Sequence, residues 1–365
     1  MIIGVPKEVK EEEYRVAITP WAVLALTGHG HNVLIEAGAG LESGITDRDY
    51  EDAGADILST GKDIWDGGEL ILKVREPEGP ELDMILGKLI FSYLHLAANE
   101  ALTKRLLKEK VTAIAYETVE TPEGYLPLLS PMSQVCGSLS IQVGANGLER
   151  TNNGSGILLS GVAGVAPARV TILGGGIAGF SAAQIAVGMG AEVFLLGISP
   201  PKLRYAGDML RGKAVTVMSN KANIDENVIK SDLVIGAALI PGDKTPLLLS
   251  RELVSRMEPG SVIVDLSIDQ GGTAETSRPT THKDPFYIEE GIIHYAVPNM
   301  PGAVPRTSSF ALSGATSTYV LEIADKGVEA AINDNPDLKR GVNVHNGAVT
   351  HGGVARALGY ELGEF

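Results

Sequence analysis

The chain has 365 residues, enough at roughly 150 per domain for two domains that each bury a core, which excludes a peptide, a fibre or a disordered tail. Its 30 Lys and Arg against 45 Asp and Glu leave a net charge of −15, so neither nucleic acid nor an anionic membrane surface is an expected partner. The 44 glycines beside 5% aromatic residues point to many tight turns in an α/β protein binding small molecules or copies of itself.

Short apolar, β-branched runs alternate with helical patterns from end to end, which predicts strand–helix–strand units around mostly parallel sheets. Strands are expected at 2–5, 32–36, 70–74, 89–94 and 112–116, helices at 21–26 and 98–108, and the proline-rich 76–80 as a connection. The spacing of Met132, Val135, Leu139, Val143 and Leu148 predicts a long connecting helix over 131–148. Further strands are expected at 169–173, 192–196, 215–218, 233–238, 261–266 and 293–297, the series a dinucleotide-binding domain requires. A helix follows over 308–333, and then a Gly- and Asn-rich tail. Such a helix most simply packs back on the first domain. The expected architecture is therefore a Rossmann-type domain over 130–304, inserted into a discontinuous α/β substrate domain formed by 1–129 and 305–365.

Gly174-Gly175-Gly176-Ile177-Ala178-Gly179 holds a G-x-G-x-x-G pattern between the apolar run 170–173 and helix-forming Ser181-Ala182-Ala183-Gln184. In that context Gly174, Gly176 and Gly179 let the backbone turn tightly and approach a pyrophosphate at the positive end of the next helix. An acid normally ends the second strand and accepts hydrogen bonds from the adenosine ribose. Here that strand ends in Gly197, with Ser199, Lys202 and Arg204 just beyond. These residues either admit a 2′-phosphate or merely solvate the next helix, so the cofactor is expected to be NAD(H) or NADP(H).

The single cysteine, Cys136, cannot form an intrachain disulfide, and the N-terminus is broken by Gly4 and Pro6 where a leader would be apolar. Apolar runs such as 157–170 carry Gly and Pro and fall short of the roughly 18 residues of a membrane helix. A cytoplasmic protein is expected. His29-Gly30-His31 is the nearest approach to a metal motif, and without a His-x-x-x-His or cysteine cluster no metal site is expected.

Longer strings carry a resemblance. Met1 to Glu8, Arg15-Val16-Ala17-Ile18-Thr19-Pro20, Tyr93-Leu94-His95-Leu96-Ala97-Ala98, Leu239-Ile240-Pro241-Gly242, 264–272, 275–282 and 299–306 together resemble the alanine dehydrogenases, over nearly the whole length. The cofactor-binding part of proton-translocating transhydrogenase is similar too. The resemblance implies two domains, a nicotinamide cofactor, reversible conversion of alanine into pyruvate and ammonia, and a homohexamer. It implies Arg15 for the substrate carboxylate, His95 and Asp269 for proton handling, and Asn299 near the reacting centre. On the cofactor side it adds Ser133, Ser219, Leu239, Asp269, Asn299 and Met300.

Taken singly, Arg15 in its acidic stretch reads as a surface ion pair and His95 as a core histidine. One departure matters: where the family has the second lysine of Lys-Val-Lys-Glu-Pro, this chain has Arg75, and Gln134 and Ser138 are smaller departures. Arginine keeps its charge and grips oxyanions in a planar fork, so Arg75 is expected to bind substrate and to shift the preferred acid. Two other classes fit the residues less well: an opine- or saccharopine-like dehydrogenase, and a nicotinamide-binding module without chemistry of its own.

Overall fold

Two parallel-rich sheets form because most of their strands are buried on both faces and are apolar at nearly every position. Leu70–Leu72 and Leu89–Ser92 in one sheet, and Leu233–Gly236 and Val262–Asp265 in the other, are buried throughout. The computed structural model describes residues 1–238 and 245–364. The chain divides into two compact units, Met1–Met132 together with the chain from Val304 onward, and Ser133–Ala303.

In the first unit the strands are β1 (Ile2–Val5), β2 (Asn32–Glu36), β3 (Asp56–Leu58), β4 (Leu70–Leu72), β5 (Leu89–Ser92) and β6 (Thr112–Ala115). They pair in parallel in the order β3-β2-β1-β4-β5-β6, the doubly wound order whose switch point lies between the first and fourth strands. The Gly- and Asn-rich tail is not a loose end. It forms the helix Pro336–Gly341, an antiparallel pair Val342–His345 and Ala348–Val349 at the sheet edge, and the helix Gly352–Leu358. Val344, Val349 and Val354 from this return join Trp65, Ile71 and Ile90 in one core.

In the second unit β7 (Arg169–Leu173), β8 (Glu192–Gly197), β9 (Ala214–Met218), β10 (Leu233–Gly236), β11 (Val262–Asp265), β12 (Phe286–Glu289) and β13 (Ile292–Tyr295) form one sheet. Its parallel part runs β9-β8-β7-β10-β11-β13, again the dinucleotide-binding order, with β12 antiparallel at the edge.

Several expected bounds shift. The strands at 70–74, 89–94, 112–116, 233–238, 261–266 and 293–297 end earlier, because the residues past their ends turn away from the ladder at the carboxyl edge. The helix expected over 308–333 breaks at Gly327, whose φ of 80° lies outside the helical region; it becomes Pro305–Lys326 and Val328–Asp334. Asp56–Leu58, Phe286–Glu289 and the short helices Asp47–Asp52 and Gly61–Gly67 were not expected. Among the described residues no helix is long and apolar enough to cross a membrane, and no cluster of three or more His, Cys, Asp or Glu could hold a metal.

Candidate active-site residues and the dinucleotide turn

In open α/β sheets ligands gather outside the carboxyl ends of strands at the switch point. In the first unit those ends carry Glu8 just past β1, Lys73 and Arg75 past β4, His95 past β5 and Glu117 past β6. Lys73 is completely buried, its Nζ 3.1 Å from Glu8 and 2.8 Å from Glu81, themselves buried. Burial would lower its pKa, but the two carboxylates outweigh that and hold the ammonium charged. Burial, with Glu13 and Glu81 nearby, raises Glu8 despite Lys73.

Arg15 is buried, not at the surface as its acidic stretch alone suggests. Its Nε donates to Glu13 Oε1 at 2.7 Å, Nη2 donates to Glu13 Oε2 at 2.5 Å, and Nη1 lies 3.3 Å from Met132 Sδ. Arg75 is half-buried, its Nε 3.2 Å from Glu76, whose other oxygen takes Lys10 at 2.5 Å. Burial would raise the Glu76 carboxyl, but Arg75 and Lys10 hold it below its ordinary value.

His95 is exposed, a correction to its reading as a core histidine. It adopts φ 49°, a left-handed conformation costing about 1–3 kcal/mol in a non-glycine residue. Its backbone N–H donates to Glu117 Oε1 at 2.7 Å and its ring stacks on Tyr93, whose hydroxyl donates to the Leu128 carbonyl at 2.7 Å. The imidazole is thus presented past the carboxyl end of β5 on a fixed backbone.

In the second unit the three motif glycines divide by role. Gly174 has φ 129°, and a Cβ there would lie 2.4 Å from the Ala237 carbonyl oxygen at the end of β10. A Cβ on Gly179 would lie 1.8 Å from the Gly174 carbonyl oxygen, so these two permit the turn. A Cβ on Gly176 would meet nothing within 4 Å. Gly176 is exposed at the N-terminus of the helix Ile177–Gly188, leaving room for a pyrophosphate against its backbone, so the turn fits a dinucleotide.

Gly197 ends β8 beside this turn, and the Ser219 N–H donates to its carbonyl at 2.9 Å. Asp269 is exposed in the 3₁₀ turn Ile268–Gln270 after β11. Buried Asp265 shapes that loop, accepting from the Ser267 and Thr273 N–H groups and the Ser277 hydroxyl. Asn299, at φ 61°, precedes the turn Met300–Ala303, in which Met300 is buried; Ser133 is half-buried on the helix Ser130–Gly147. Leu239 lies outside the described residues.

Residues 4–136 match the domain described as "Alanine dehydrogenase/PNT, N-terminal domain", and 140–352 the corresponding "C-terminal domain". The chain belongs to this family. It is 51% identical over 365 residues to an alanine dehydrogenase of Halomonas elongata, covering 100% of this chain and 98% of that one. To the enzyme of Bacillus subtilis it is 51% identical over 364 residues, covering 99% and 96%. A solved L-alanine dehydrogenase superposes with a TM-score of 0.94 at 46% identity, covering 98% and 99% of the two chains. A transhydrogenase from Sinorhizobium meliloti gives 0.81 at 27%, covering 96% and 99%.

Within an alanine dehydrogenase/PNT fold, the Lys73–Glu8–Glu81 cluster, Glu13 and Glu117 are the residues that motif reasoning passed over. A single lysine inside the apolar run Leu70-Ile71-Leu72-Lys73-Val74 was the available signal. Lys73→Met leaves two buried carboxylates without their cation and is expected to destabilise the protein by about 3–5 kcal/mol in urea unfolding at neutral pH. A carboxyl with a raised folded pKa adds stability at low pH and loses it as pH rises through that value. Losing Lys73 raises Glu8 further, so the deficit should grow as pH rises through the already raised folded value of Glu8, above the ordinary carboxylate range. A deficit independent of pH would show that the carboxylates do not feel the lysine.

Proposed function

We propose that the protein catalyses the reversible oxidative deamination of L-alanine to pyruvate and ammonia. It is a nicotinamide-dependent amino-acid dehydrogenase, a reading carried by 51% identity over the full length to a protein named alanine dehydrogenase. The first unit handles the amino acid and the second the dinucleotide.

The nicotinamide, when bound, supplies the hydride acceptor. Losing hydride from Cα leaves the amine carbon electrophilic; water adds there, and the C–N bond breaks as ammonia departs with a proton. Arg15 and Arg75 bind the carboxylate through charge-assisted hydrogen bonds, about 1.5–3 kcal/mol each. His95 takes and returns the proton of the attacking water, since imidazole exchanges protons near neutrality. Asp269 shares this proton handling, and Asn299 orients the reacting groups. The backbone at Gly176 receives the pyrophosphate, and Ser133, Ser219 and Met300 line the dinucleotide. The working form is a cytoplasmic homohexamer.

The test combines the purified protein with NADH or NADPH, ammonia or small amines, and a panel of 2-oxo acids, following reduced-nicotinamide absorbance. Turnover that depends on both pyruvate and ammonia is expected. Turnover only with a larger amine would move the protein to the opine class, and none with any 2-oxo acid would leave a binding module.

A further inference from the structure

The residues that close the adenosine end of a Rossmann turn are laid out in the second unit by the ends of β7 and β8. Gly174 N–H donates to the Leu196 carbonyl at 2.8 Å, and a Cβ on Gly197 would lie 3.4 Å from the Gly175 Cα. Gly197 thus sits against the glycine turn at the position where an acid would otherwise meet the ribose hydroxyls. Between Val193 and Gly207 there is no carboxylate at all.

Leu203 packs over this point, its Cδ2 3.1 Å from the Gly197 Cβ position and 3.7 Å from that of Gly175. It lies in the first turn of the helix Pro200–Met209. Successive helix residues are rotated by about 100°, so with Leu203 turned inward Lys202 and Arg204 emerge on either side of it. Both are exposed, and among the described residues neither forms an ion pair or a hydrogen bond. Ser199, the N-cap, makes no side-chain capping bond and keeps its hydroxyl available. Ile198 beside Gly197 is 81% exposed, an apolar face suited to a purine ring.

We propose that this corner receives the 2′-phosphate of NADP(H), with Lys202, Arg204 and Ser199 around the phosphate and Ile198 against the adenine. The inference rests on the reading of the second unit as the dinucleotide-binding one. An acid at this corner would repel the phosphate, and two unpaired cations attract it.

Equilibrium binding of NADPH, NADH, 2′,5′-ADP and 5′-AMP, measured by calorimetry on the wild type and on Lys202→Ala/Arg204→Ala, tests it. NADPH is expected to bind at least as tightly as NADH, and 2′,5′-ADP at least tenfold more tightly than 5′-AMP. The double variant should weaken NADPH and 2′,5′-ADP by tenfold or more while moving NADH by less than twofold; both substitutions are exposed, and circular dichroism checks the fold. Undetectable NADPH with normal NADH binding, or equal weakening of both, overturns the proposal while leaving dinucleotide binding intact. Absence of binding by either dinucleotide overturns the dehydrogenase reading and this inference with it.

Discussion

A Gly176→Val protein should fold normally and bind dinucleotide at least about 100-fold more weakly than the wild type, a loss of about 2.7 kcal/mol. The backbone of Gly176 has φ −80° and ψ −169°, an extended conformation that valine adopts readily, and nothing in the protein lies within 4 Å of the added Cβ. The new Cβ therefore enters open space, where on the reading proposed above the pyrophosphate would lie. Gly179→Ala should behave in the opposite way. Its Cβ would fall 1.8 Å from the Gly174 carbonyl oxygen, so the helix Ile177–Gly188 must move off β7 and several kcal/mol of stability should be lost. Thermal unfolding and calorimetric titration of the two variants separate the roles. A Gly176→Val protein with unchanged affinity would mean that the dinucleotide does not approach this turn.

The same division explains what was legible in the sequence. The spacing of the glycines follows from backbone geometry alone, and the parallel strands, buried on both faces, read as unbroken apolar runs. Elements whose existence depends on a partner far along the chain were harder. Asp56–Leu58 has three residues, none fully buried, and is a strand only because Leu34 to Glu36 lie beside it. The helix break at Gly327 looked like an ordinary glycine inside a helical pattern, tolerated at a cost of about 1 kcal/mol; its φ of 80° takes it out of the helical region.

Two hairpins carried a signal that composition obscured. Asn346-Gly347, at φ 48° and 81°, joins Val342–His345 to Ala348–Val349, and Glu290-Gly291, at 53° and 77°, joins β12 to β13. Both are two-residue turns with positive φ at each position, as antiparallel hairpins favour. In the tail the alternation Val342, Val344 before Asn-Gly was readable, but the surrounding glycines and asparagines made the segment look like a loop.

For the site residues, type was legible and environment was not. Arg15 reads as exposed beside Glu11-Glu12-Glu13, yet Glu13 turns inward with it and the pair is buried. His95 sits among apolar neighbours and reads as buried, yet its left-handed backbone turns it outward. Periodicity carries no information about a residue that leaves the regular backbone, and candidate site residues such as His95 past the end of β5 are of this kind.

Arg75→Lys should raise kcat/KM on pyruvate about tenfold and lower it on oxaloacetate by a similar factor, with ammonia and reduced dinucleotide in excess. A guanidinium acts by charge and geometry, whereas a desolvated lysine can also donate and accept a proton. The Arg75 Nε lies 3.2 Å from a Glu76 oxygen, and on the reading proposed above the Nη edge of the fork would take the oxyanion. On the same reading, Arg75 and Arg15 would each offer guanidinium N–H groups not taken by Glu76 and Glu13, and a second carboxylate would use the additional donors. The lysine variant keeps one charge but loses the planar, bidentate grip, worth about one charge-assisted hydrogen bond, or 1.5–3 kcal/mol. That is enough for the tenfold change expected on the diacid. Equal changes on the two substrates, or a wild-type preference for pyruvate, would show that Arg75 supplies charge alone and does not select the substrate.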